Sequence, residues 1–330
     1  MSKRAFIRDL LTKIGALQLR WRTLGRHLYC FNYHRIGDPT QSMFDRGVFS
    51  CSAERFREHI RLLQERFDIV DIARLSYALQ RATPRQPMAL ITFDDGYIDN
   101  YRLALPILRE LGATAAFFIP TKFIGGSQLP WWDEIAWSLR NASTGRISLA
   151  GSKEEFDLAP GVIDRTIMTL LEFVKLRHHV PMDEQVAEVR EACKPKGSVA
   201  SAGEGLFVND AQIGEMRRAG MDIGSHTHTH RILSHLDPQT QKDELAISKE
   251  ILEGLLAEPV HTVAYPVGAL GSYGPETCRI ASSLGYRLGF NFIAGVNRLP
   301  NKTPLDLNRF AVEENAAPAR LKATVAFPWL

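Results

Sequence analysis

Two adjacent carboxylates follow a strongly apolar run in this sequence. The run MALITF, residues 88–93, ends directly before Asp94 and Asp95. If the run is a buried strand, neighbouring side chains at its end point in different directions, so one carboxylate can ligate a cation while the other stays free to move a proton. Asp-Asp-Gly is also common in turns that cap a helix. This fragment alone leaves both interpretations open.

A second segment alternates histidine with threonine. His226, His228 and His230 follow the strand-like sequence MDIGS. Neutral imidazole is a common metal ligand, and two imidazoles with one carboxylate leave open positions on a zinc-like ion. A helical turn beginning here would place His226 and His230 on one face and direct His228 elsewhere. An isolated histidine is usually a packed or surface side chain, but this cluster predicts a metal site.

Short apolar runs alternate with segments of helical period from residue 28 onward, which is typical of parallel strands joined by crossover helices. The predicted strands are 28–34, 67–71, 88–93, 113–119, 222–226, 261–265, 287–292 and 307–312. We predict an α/β fold, a distorted (β/α) barrel of about seven to eight parallel strands. In such a barrel the carboxyl ends of the strands meet at one face, which would bring the aspartates and histidines together.

Two segments depart from the barrel pattern. Residues 134–208 contain no convincing strand, so we predict a helical insertion there, within a barrel domain of residues 28–330. Residues 1–27 are rich in Lys and Arg, with apolar residues at helical spacing. This segment is predicted to be an amphipathic helix, which either packs on the barrel or lies on an anionic membrane surface through residues 1–26.

The composition excludes several classes of protein. The chain has 330 residues, of which 45% are hydrophobic and 23% charged, and its net charge is only +3. It is therefore neither disordered nor collagen-like, and no nucleic-acid partner is expected. The four cysteines form no C-x-x-C pair, which argues against a cysteine zinc site or a disulfide framework. Without a signal-peptide pattern or a long apolar run, a cytoplasmic location is expected, with contact to the inner face of the membrane as an extension.

Three motifs resemble those of a known family. TFDDG at 92–96 and HTHTH at 226–230, each after a predicted strand, are similar to the first two motifs of the polysaccharide deacetylases. This family is the NodB homology domain of carbohydrate esterase family four. VAYPVG at 263–268 is similar to its third motif, and the resemblance covers about residues 28–312.

The resemblance implies a function and roles for the motif residues. Asp95, His226 and His230 would hold one divalent metal ion, with Zn²⁺ expected first and Ni²⁺, Co²⁺ or Mn²⁺ as alternatives. Asp94 would be the catalytic base. The reaction would be hydrolysis of an N-acetyl group, or less often an O-acetyl group, on a sugar.

The sequence departs from the family pattern at two places. In many members the third motif has an arginine where Ala264 stands here and an aromatic residue where Val267 stands, so Arg309, near a late strand end, is predicted to replace the arginine. The late motif that ends in the acid histidine is absent. Instead His34 stands at the end of the first predicted strand, as in the circularly permuted branch associated with exopolysaccharide de-N-acetylation. That resemblance implies His34 as the general acid, with a packing imidazole as the alternative.

Other residues are candidates for substrate contact. A backbone N–H near Val267 would hold the oxyanion, and Tyr265 lies in the same motif. Trp131 and Trp132 could stack on a sugar ring or pack at the base of the insertion. The expected substrate is an acetylated polysaccharide, oligosaccharide or lipid-linked sugar. Two alternatives remain open: a catalytically silent carbohydrate-binding relative, and a hydrolase of a non-sugar amide on the same barrel.

Overall fold

The computed structural model describes residues 15–80, 84–312 and 316–328. Its strands, in chain order, are β1 (Leu28–Tyr33), β2 (Arg35–Ile36), β3 (Phe49–Cys51), β4 (Asp68–Ile69), β5 (Met88–Phe93), β6 (Ala116–Ile119), β7 (Arg146–Ile147), β8 (Phe156–Asp157), β9 (Asp222–Ser225), β10 (Thr262–Ala264), β11 (Leu288–Phe290) and β12 (Phe310–Ala311).

Eight of these strands form one curled parallel sheet. Seven follow the order β11-β10-β9-β6-β5-β1-β12, and β4 pairs with β5. Each of the eight lies within one of the strands predicted from the sequence. Phe290 of β11 also bridges to Leu307, shortly before β12, so the two ends of the curled sheet approach each other. The predicted distorted (β/α) barrel is confirmed.

The helices follow in chain order. They are α1 (Ala16–Arg22), α2 (Ala53–Gln64), α3 (Ile72–Gln80), α4 (Leu105–Glu110), α5 (Trp131–Arg140), α6 (Ile163–Leu176), α7 (Met182–Cys193), α8 (Val199–Gly203), α9 (Asp210–Arg218), α10 (Pro238–Leu256), α11 (Pro275–Ser283) and α12 (Pro318–Ala326). Helix α9 begins with a capping box of Asn209 and Gln212, and Asp237 caps α10 ahead of Pro238. Both helix starts agree with the preferences for N-cap residues.

The described residues divide into two compact units. Of the described residues, 15–37, 50–80, 84–124, 208–312 and 316–328 belong to the barrel unit. The insertion unit comprises Asp38–Phe49 and Gly125–Phe207, so it begins before the predicted insertion and includes a second, earlier segment.

The barrel strands are buried on both faces, as expected for parallel strands covered by helices. Side chains of β1 alternate between two apolar clusters. Leu28 and Cys30 belong to one cluster, and Tyr29, Phe31 and Tyr33 belong to the other. Because side chains repeat every second residue along a strand, position 32 shares the face of 28 and 30. The same alternation along β5 places positions 92 and 94 on the face of the first cluster. Polar residues therefore follow the apolar residues of this face toward the carboxyl ends of the strands.

The described part of the basic amino-terminal segment packs inside the barrel unit. Leu17 and Trp21 of α1 are buried, and Leu17 packs with Ala323 and Ala326 of α12. This contact favours the packed interpretation for residues 16–22. Residues 1–14 lie outside the described residues, so the membrane contact stays a prediction. Among the described residues, no helix is both long and apolar enough to cross a bilayer.

The insertion unit has its own core and one small sheet. The prediction that residues 134–208 lack strands is wrong, because β7 and β8 pair antiparallel, with Arg146 opposite Asp157 and Ile147 opposite Phe156. Strands of two residues are too short to show an alternating pattern in the sequence. The helices α6 and α7 agree with the predicted helical character of the insertion.

Candidate active site

The two carboxylates lie directly after β5, in a tight turn. Asp94 donates its backbone N–H to the carbonyl of Tyr33 at 3.0 Å, which continues the pairing of β5 with β1. Asp95 and Gly96 then adopt positive φ values of 73° and 67°. A left-handed conformation is unusual for a residue other than glycine, and it turns Asp95 away from the strand direction. Both carboxylates are nevertheless buried, so charged partners must compensate them.

Asp95, His226 and His230 form a triangle of possible metal ligands. The Asp95 Oδ1 atom lies 3.5 Å from His226 Nε2 and 3.3 Å from His230 Nε2, and the two Nε2 atoms are 3.1 Å apart. In a tetrahedral zinc site with ligands at about 2.0–2.1 Å, neighbouring ligand atoms are about 3.3–3.4 Å apart. The spacing and the donor types therefore fit a divalent ion.

The histidine segment is a loop and contains no helical turn. A helical turn, which would have placed His226 and His230 on one face, does not form at residues 226–230, because Thr227 and His230 have positive φ values of 65° and 58°. Thr227 Oγ1 accepts the His230 N–H at 3.2 Å, and Ser225 Oγ accepts the Thr227 N–H at 3.1 Å. These local bonds compete with helix formation and bring both imidazoles to one side. The intervening His228 points elsewhere, with its Nδ1 2.9 Å from Thr121 Oγ1.

The surroundings of His226 prepare it as a ligand. Its Nδ1 lies 2.8 Å from the carbonyl oxygen of Ala264, which can only accept. The proton is therefore on Nδ1 in the neutral ring, and the Nε2 lone pair faces Asp95. Burial opposes charging of His226, but Asp94 and Asp95 outweigh it and raise its pKa. The two carboxylates thus attract positive charge to this nitrogen, where a cation and a proton compete.

The Asp94 carboxylate accepts two hydrogen bonds from Arg309, the residue directly before β12. Arg309 Nη1 donates to Asp94 Oδ1 at 2.7 Å, and Nη2 donates to Oδ2 at 2.8 Å. The guanidinium is 1% exposed, and its Nε donates to the carbonyl of Asn291. The structure therefore brings the predicted replacement for the third-motif arginine onto Asp94, in the bidentate geometry that fixes a carboxylate.

Asn32 is a site residue that sequence reasoning missed. Its Nδ2 donates to Asp94 Oδ2 at 3.1 Å, and its Oδ1 accepts from Arg309 Nη1 at 2.7 Å. A polar residue inside the otherwise apolar strand LYCFNY was the available signal, since buried polar groups need partners. Burial would raise the pKa of Asp94, but Arg309, with smaller contributions from His226 and His34, holds it below its usual range. Asp94 is therefore ionised.

His34 lies between β1 and β2 and is half-buried. Its backbone N–H donates to Ser50 Oγ at 3.0 Å, and its carbonyl accepts from Asn100 Nδ2 at 2.7 Å. Its ring meets the ring of Phe292 edge to face, with centroids 5.7 Å apart. It also lies within electrostatic reach of Asp94 and Asp95. Electrostatic coupling to both carboxylates is compatible with the predicted acid role of His34, which stays a prediction.

The third-motif residues divide between the loop after β10 and the core. Val267, three residues after the end of β10, has a positive φ of 62°, and the Gly268 carbonyl in the same loop accepts the Phe292 N–H. Tyr265, by contrast, is buried and donates its hydroxyl to the Leu305 carbonyl at 2.8 Å. The structure therefore does not bring the Tyr265 side chain to the carboxylates, because its hydroxyl is hydrogen-bonded to the Leu305 carbonyl.

The two tryptophans belong to the insertion unit. Trp132 is buried in the core of that unit, and Trp131 is half-buried with its ring edge to face against Trp132 at 5.5 Å. Lys175 Nζ lies over the Trp131 ring at 5.8 Å. The burial of Trp132 agrees with the packing alternative, and sugar stacking by Trp131 stays a prediction.

The fold and the site together define an α/β barrel protein with a buried carboxylate and imidazole cluster at its strand ends. A family model described as polysaccharide deacetylase matches residues 81–143 and 156–289. The chain belongs to the polysaccharide deacetylase family. The protein YxkH of Bacillus subtilis (strain 168), named as a polysaccharide deacetylase, is 25% identical over 210 residues, which are 64% of this chain. That alignment spans 46% of YxkH, less than half of its length.

Solved structures share the fold at low sequence identity. Streptococcus pyogenes deacetylase PplD, in complex with acetate, aligns with a TM-score of 0.60 and 20% identity, over 92% of this chain and 99% of that one. IcaB from Ammonifex degensii aligns with a TM-score of 0.57 and 18% identity, over 91% and 97%. A de-N-acetylase from Aggregatibacter actinomycetemcomitans aligns with a TM-score of 0.54 and 13% identity, over 88% and 96%.

Proposed function

We propose that this protein is a metal-dependent hydrolase that removes N-acetyl groups from a polysaccharide, an oligosaccharide or a lipid-linked sugar. The observation that carries the proposal is the set of ligand atoms from Asp95, His226 and His230 beside an ionised, buried Asp94. Membership of the polysaccharide deacetylase family supports the reaction and the glycan substrate. One carboxylate and two imidazoles favour Zn²⁺, with Ni²⁺, Co²⁺ or Mn²⁺ as alternatives.

The three ligands would hold the ion with part of its coordination sphere open. A divalent ion there supplies Lewis-acid chemistry, since it polarises a carbonyl group and lowers the pKa of water. Burial opposes the charge on Asp95, but the two histidines outweigh it and lower its pKa far below the usual range. Burial lowers the pKa of His230, so its imidazole is neutral. Asp95 and His230 are therefore in the protonation states that cation binding requires, whereas at His226 the cation would have to displace the proton that the two carboxylates favour.

Asp94 is the proposed base. Its carboxylate is ionised and lies within 3.9 Å of His226 Nε2, beside the ligand atoms, so it can take a proton from water that attacks the acetyl group. Arg309 and Asn32 hold the carboxylate in one orientation, which lowers the entropic cost of proton transfer. The same donors stabilise the ionised form of Asp94, so they also make it a weaker base.

Two further groups complete the proposed mechanism. A backbone N–H near Val267 would donate to the oxygen that becomes negative as water adds to the carbonyl. His34, when protonated, would give a proton to the leaving amine of the sugar. Its fixed backbone, held by Ser50 and Asn100, supports a positioned acid.

Acetate release and metal content test the proposal together. The purified protein is loaded with Zn²⁺, dialysed, and incubated with N-acetylated chito-oligosaccharides and with an O-acetylated glycan. We expect acetate release and near-stoichiometric zinc. Asp94→Asn should retain the zinc and lose about 10²–10⁴-fold in rate, because the base is removed. His230→Ala should lose the zinc, whereas the exposed control His179→Ala should retain zinc and activity.

The contrary outcomes separate the alternatives. Full turnover by Asp94→Asn would refute the assignment of the base. A wild-type protein that binds no zinc would favour the silent carbohydrate-binding relative. A zinc-loaded protein that releases no acetate from any glycan, but hydrolyses a cyclic imide or an acylated amine, would favour the non-sugar amide.

A further inference from the structure

A buried carboxylate on α10 contacts the loop between the two histidine ligands. Glu244 is 6% exposed. Its Oε2 accepts the backbone N–H groups of His228 at 3.0 Å and Thr229 at 2.7 Å. Its Oε1 accepts the Thr229 hydroxyl. One carboxylate thus binds three donors from two consecutive residues.

The loop that Glu244 contacts has an unusual backbone. Thr227 and His230, on either side of the two donor residues, have positive φ values although neither is glycine. Such conformations persist only where the surroundings determine them fully. Two successive backbone N–H groups that converge on one acceptor also form a concave site for an anion. The Glu244 carboxylate fills this site from within the protein.

The backbone carbonyls of the same loop accept hydrogen bonds from a different part of the barrel unit. Thr121 and Lys122, which follow β6, donate their backbone N–H groups to the carbonyls of Thr227 and His228 at 3.2 and 2.9 Å. Glu244 supplies the acceptors for the N–H side. The loop is therefore fixed from β6 through its carbonyls and from α10 through its N–H groups.

We propose that Glu244 is a positioning residue of the metal site. It holds the backbone of residues 227–230, so that the Nε2 atoms of His226 and His230 face each other 3.1 Å apart before any ion binds. A preorganised ligand pair binds a cation more tightly, because the loop need not be ordered on binding. This inference rests on the proposed metal-dependent function and assigns a role in it to a residue outside the three motifs.

Zinc affinity of the metal-free protein tests the role directly. The dissociation constant for Zn²⁺ is measured by competition with a chromophoric chelator in wild type, Glu244→Ala and Glu244→Gln. Glu250→Ala, on the exposed face of the same helix, is the matched control. We expect Glu244→Ala to bind Zn²⁺ about 10–100-fold more weakly, the usual effect of removing a group that supports metal ligands. Glu250→Ala should match wild type.

The Glu244→Gln variant tests how much of the effect on zinc affinity depends on the charge of the side chain. The Gln side chain keeps one oxygen for the two N–H groups but lacks the charge, and hydrogen bonds to neutral acceptors are weaker. We therefore expect Glu244→Gln to lie between wild type and Glu244→Ala, at about threefold weaker binding than wild type. If the Ala variant does not fold, as judged by circular dichroism, the Gln variant decides the matter, and wild-type affinity in it overturns the proposal.

Amide hydrogen exchange gives a readout that needs neither metal nor substrate. In the metal-free protein, the amides of His228 and Thr229 should exchange faster in Glu244→Ala than in Glu250→Ala, because their acceptor is gone. Unchanged zinc affinity in folded Glu244→Ala overturns the proposal whatever the exchange result. A wild-type protein that binds no zinc instead refutes the proposed function, so the two failures are distinguishable.

Discussion

Asp94 depends on residues that are distant in the chain. Arg309 lies 215 residues after Asp94 in the chain and Asn32 lies 62 residues before it, and both donate to the Asp94 carboxylate. Thr92 Oγ1 donates to Asn32 Oδ1 at 2.7 Å, so the interior-facing polar residues of β1 and β5 bond to one another. A fully satisfied buried network of this kind is rigid, and each member orients the next.

Replacing Arg309 with lysine should slow proton transfer by Asp94 without loss of bound zinc. A lysine carries the charge but not the planar pair of donors, so Asp94 loses its bidentate contact. A hydrogen bond to a charged group contributes about 1.5–3 kcal/mol, and its loss in the transition state lowers the rate about tenfold or more. We expect kcat for acetate release to fall by this factor, with KM and zinc content unchanged.

The exposed Arg298→Lys is the control for this experiment. A wild-type kcat in folded Arg309→Lys would contradict the role given to the bidentate contact. A loss of zinc in the same variant would show that Arg309 instead supports the metal ligands.

At the scale of elements, the loops after the parallel strands build the site. The β10 and β11 loops are joined where Phe292 donates its N–H to the Gly268 carbonyl at 2.8 Å. Gly268 has a φ of 61°, and a Cβ atom there would lie 2.7 Å from the Phe292 backbone nitrogen. The turn that carries Val267 therefore requires glycine at the next position for two reasons, its left-handed backbone and its close approach to β11.

Gly268→Ala should accordingly destabilise the barrel unit more than Gly271→Ala. Both glycines have positive φ, but nothing lies within 4 Å of a Cβ atom at Gly271. The left-handed conformation costs about 1–2 kcal/mol in either variant, whereas only Gly268→Ala adds a steric penalty of about 1–3 kcal/mol. Urea unfolding followed by circular dichroism measures both. Equal losses of stability would show that the backbone at Gly268 moves to accommodate the methyl group.

At the scale of the whole barrel unit, a buried histidine links the first strand to the carboxyl-terminal region. His59 of α2 is fully buried, with Nε2 2.7 Å from the Ala316 carbonyl and Nδ1 3.3 Å from the Tyr33 hydroxyl. Burial lowers its pKa below the ordinary value of 6.5, although the Ala316 carbonyl opposes this. The folded protein therefore favours the neutral ring.

This histidine should make the protein less stable in mild acid. The unfolded chain takes up a proton at His59 near pH 6.5, whereas the folded chain does so only at lower pH. Its stabilising contribution is complete above pH 6.5 and is lost as the pH falls toward the folded pKa, by up to about 1.4 kcal/mol for each unit between the two pKa values. Free energies of unfolding of wild type and His59→Gln between pH 8 and 5 measure this. Parallel pH curves for the two proteins would show that other groups cause the acid sensitivity.

Much of the architecture was predictable because its signals are local. The apolar runs located all eight strands of the barrel, and Asp-Asp-Gly and the alternating histidines marked the two strand ends that carry the candidate metal ligands. The periodicity of apolar side chains and the preferences for N-cap residues depend on a few neighbouring residues, so they can be recognised in the sequence. The two-residue strands β7 and β8 were not predictable, since their pairing depends on the core of the insertion unit.

The sequence by itself determined the fold class and marked Asp94 and the three candidate metal ligands. Only the tertiary structure decided how the ligands are held. The role of Asn32 beside Arg309 and the contact of Glu244 with the histidine loop join residues that are separated in the chain, and the form of residues 226–230 depends on such contacts as well as on local bonds. No local pattern reports such pairs, because they exist only once the sheet has curled and brought the carboxyl ends of its strands together.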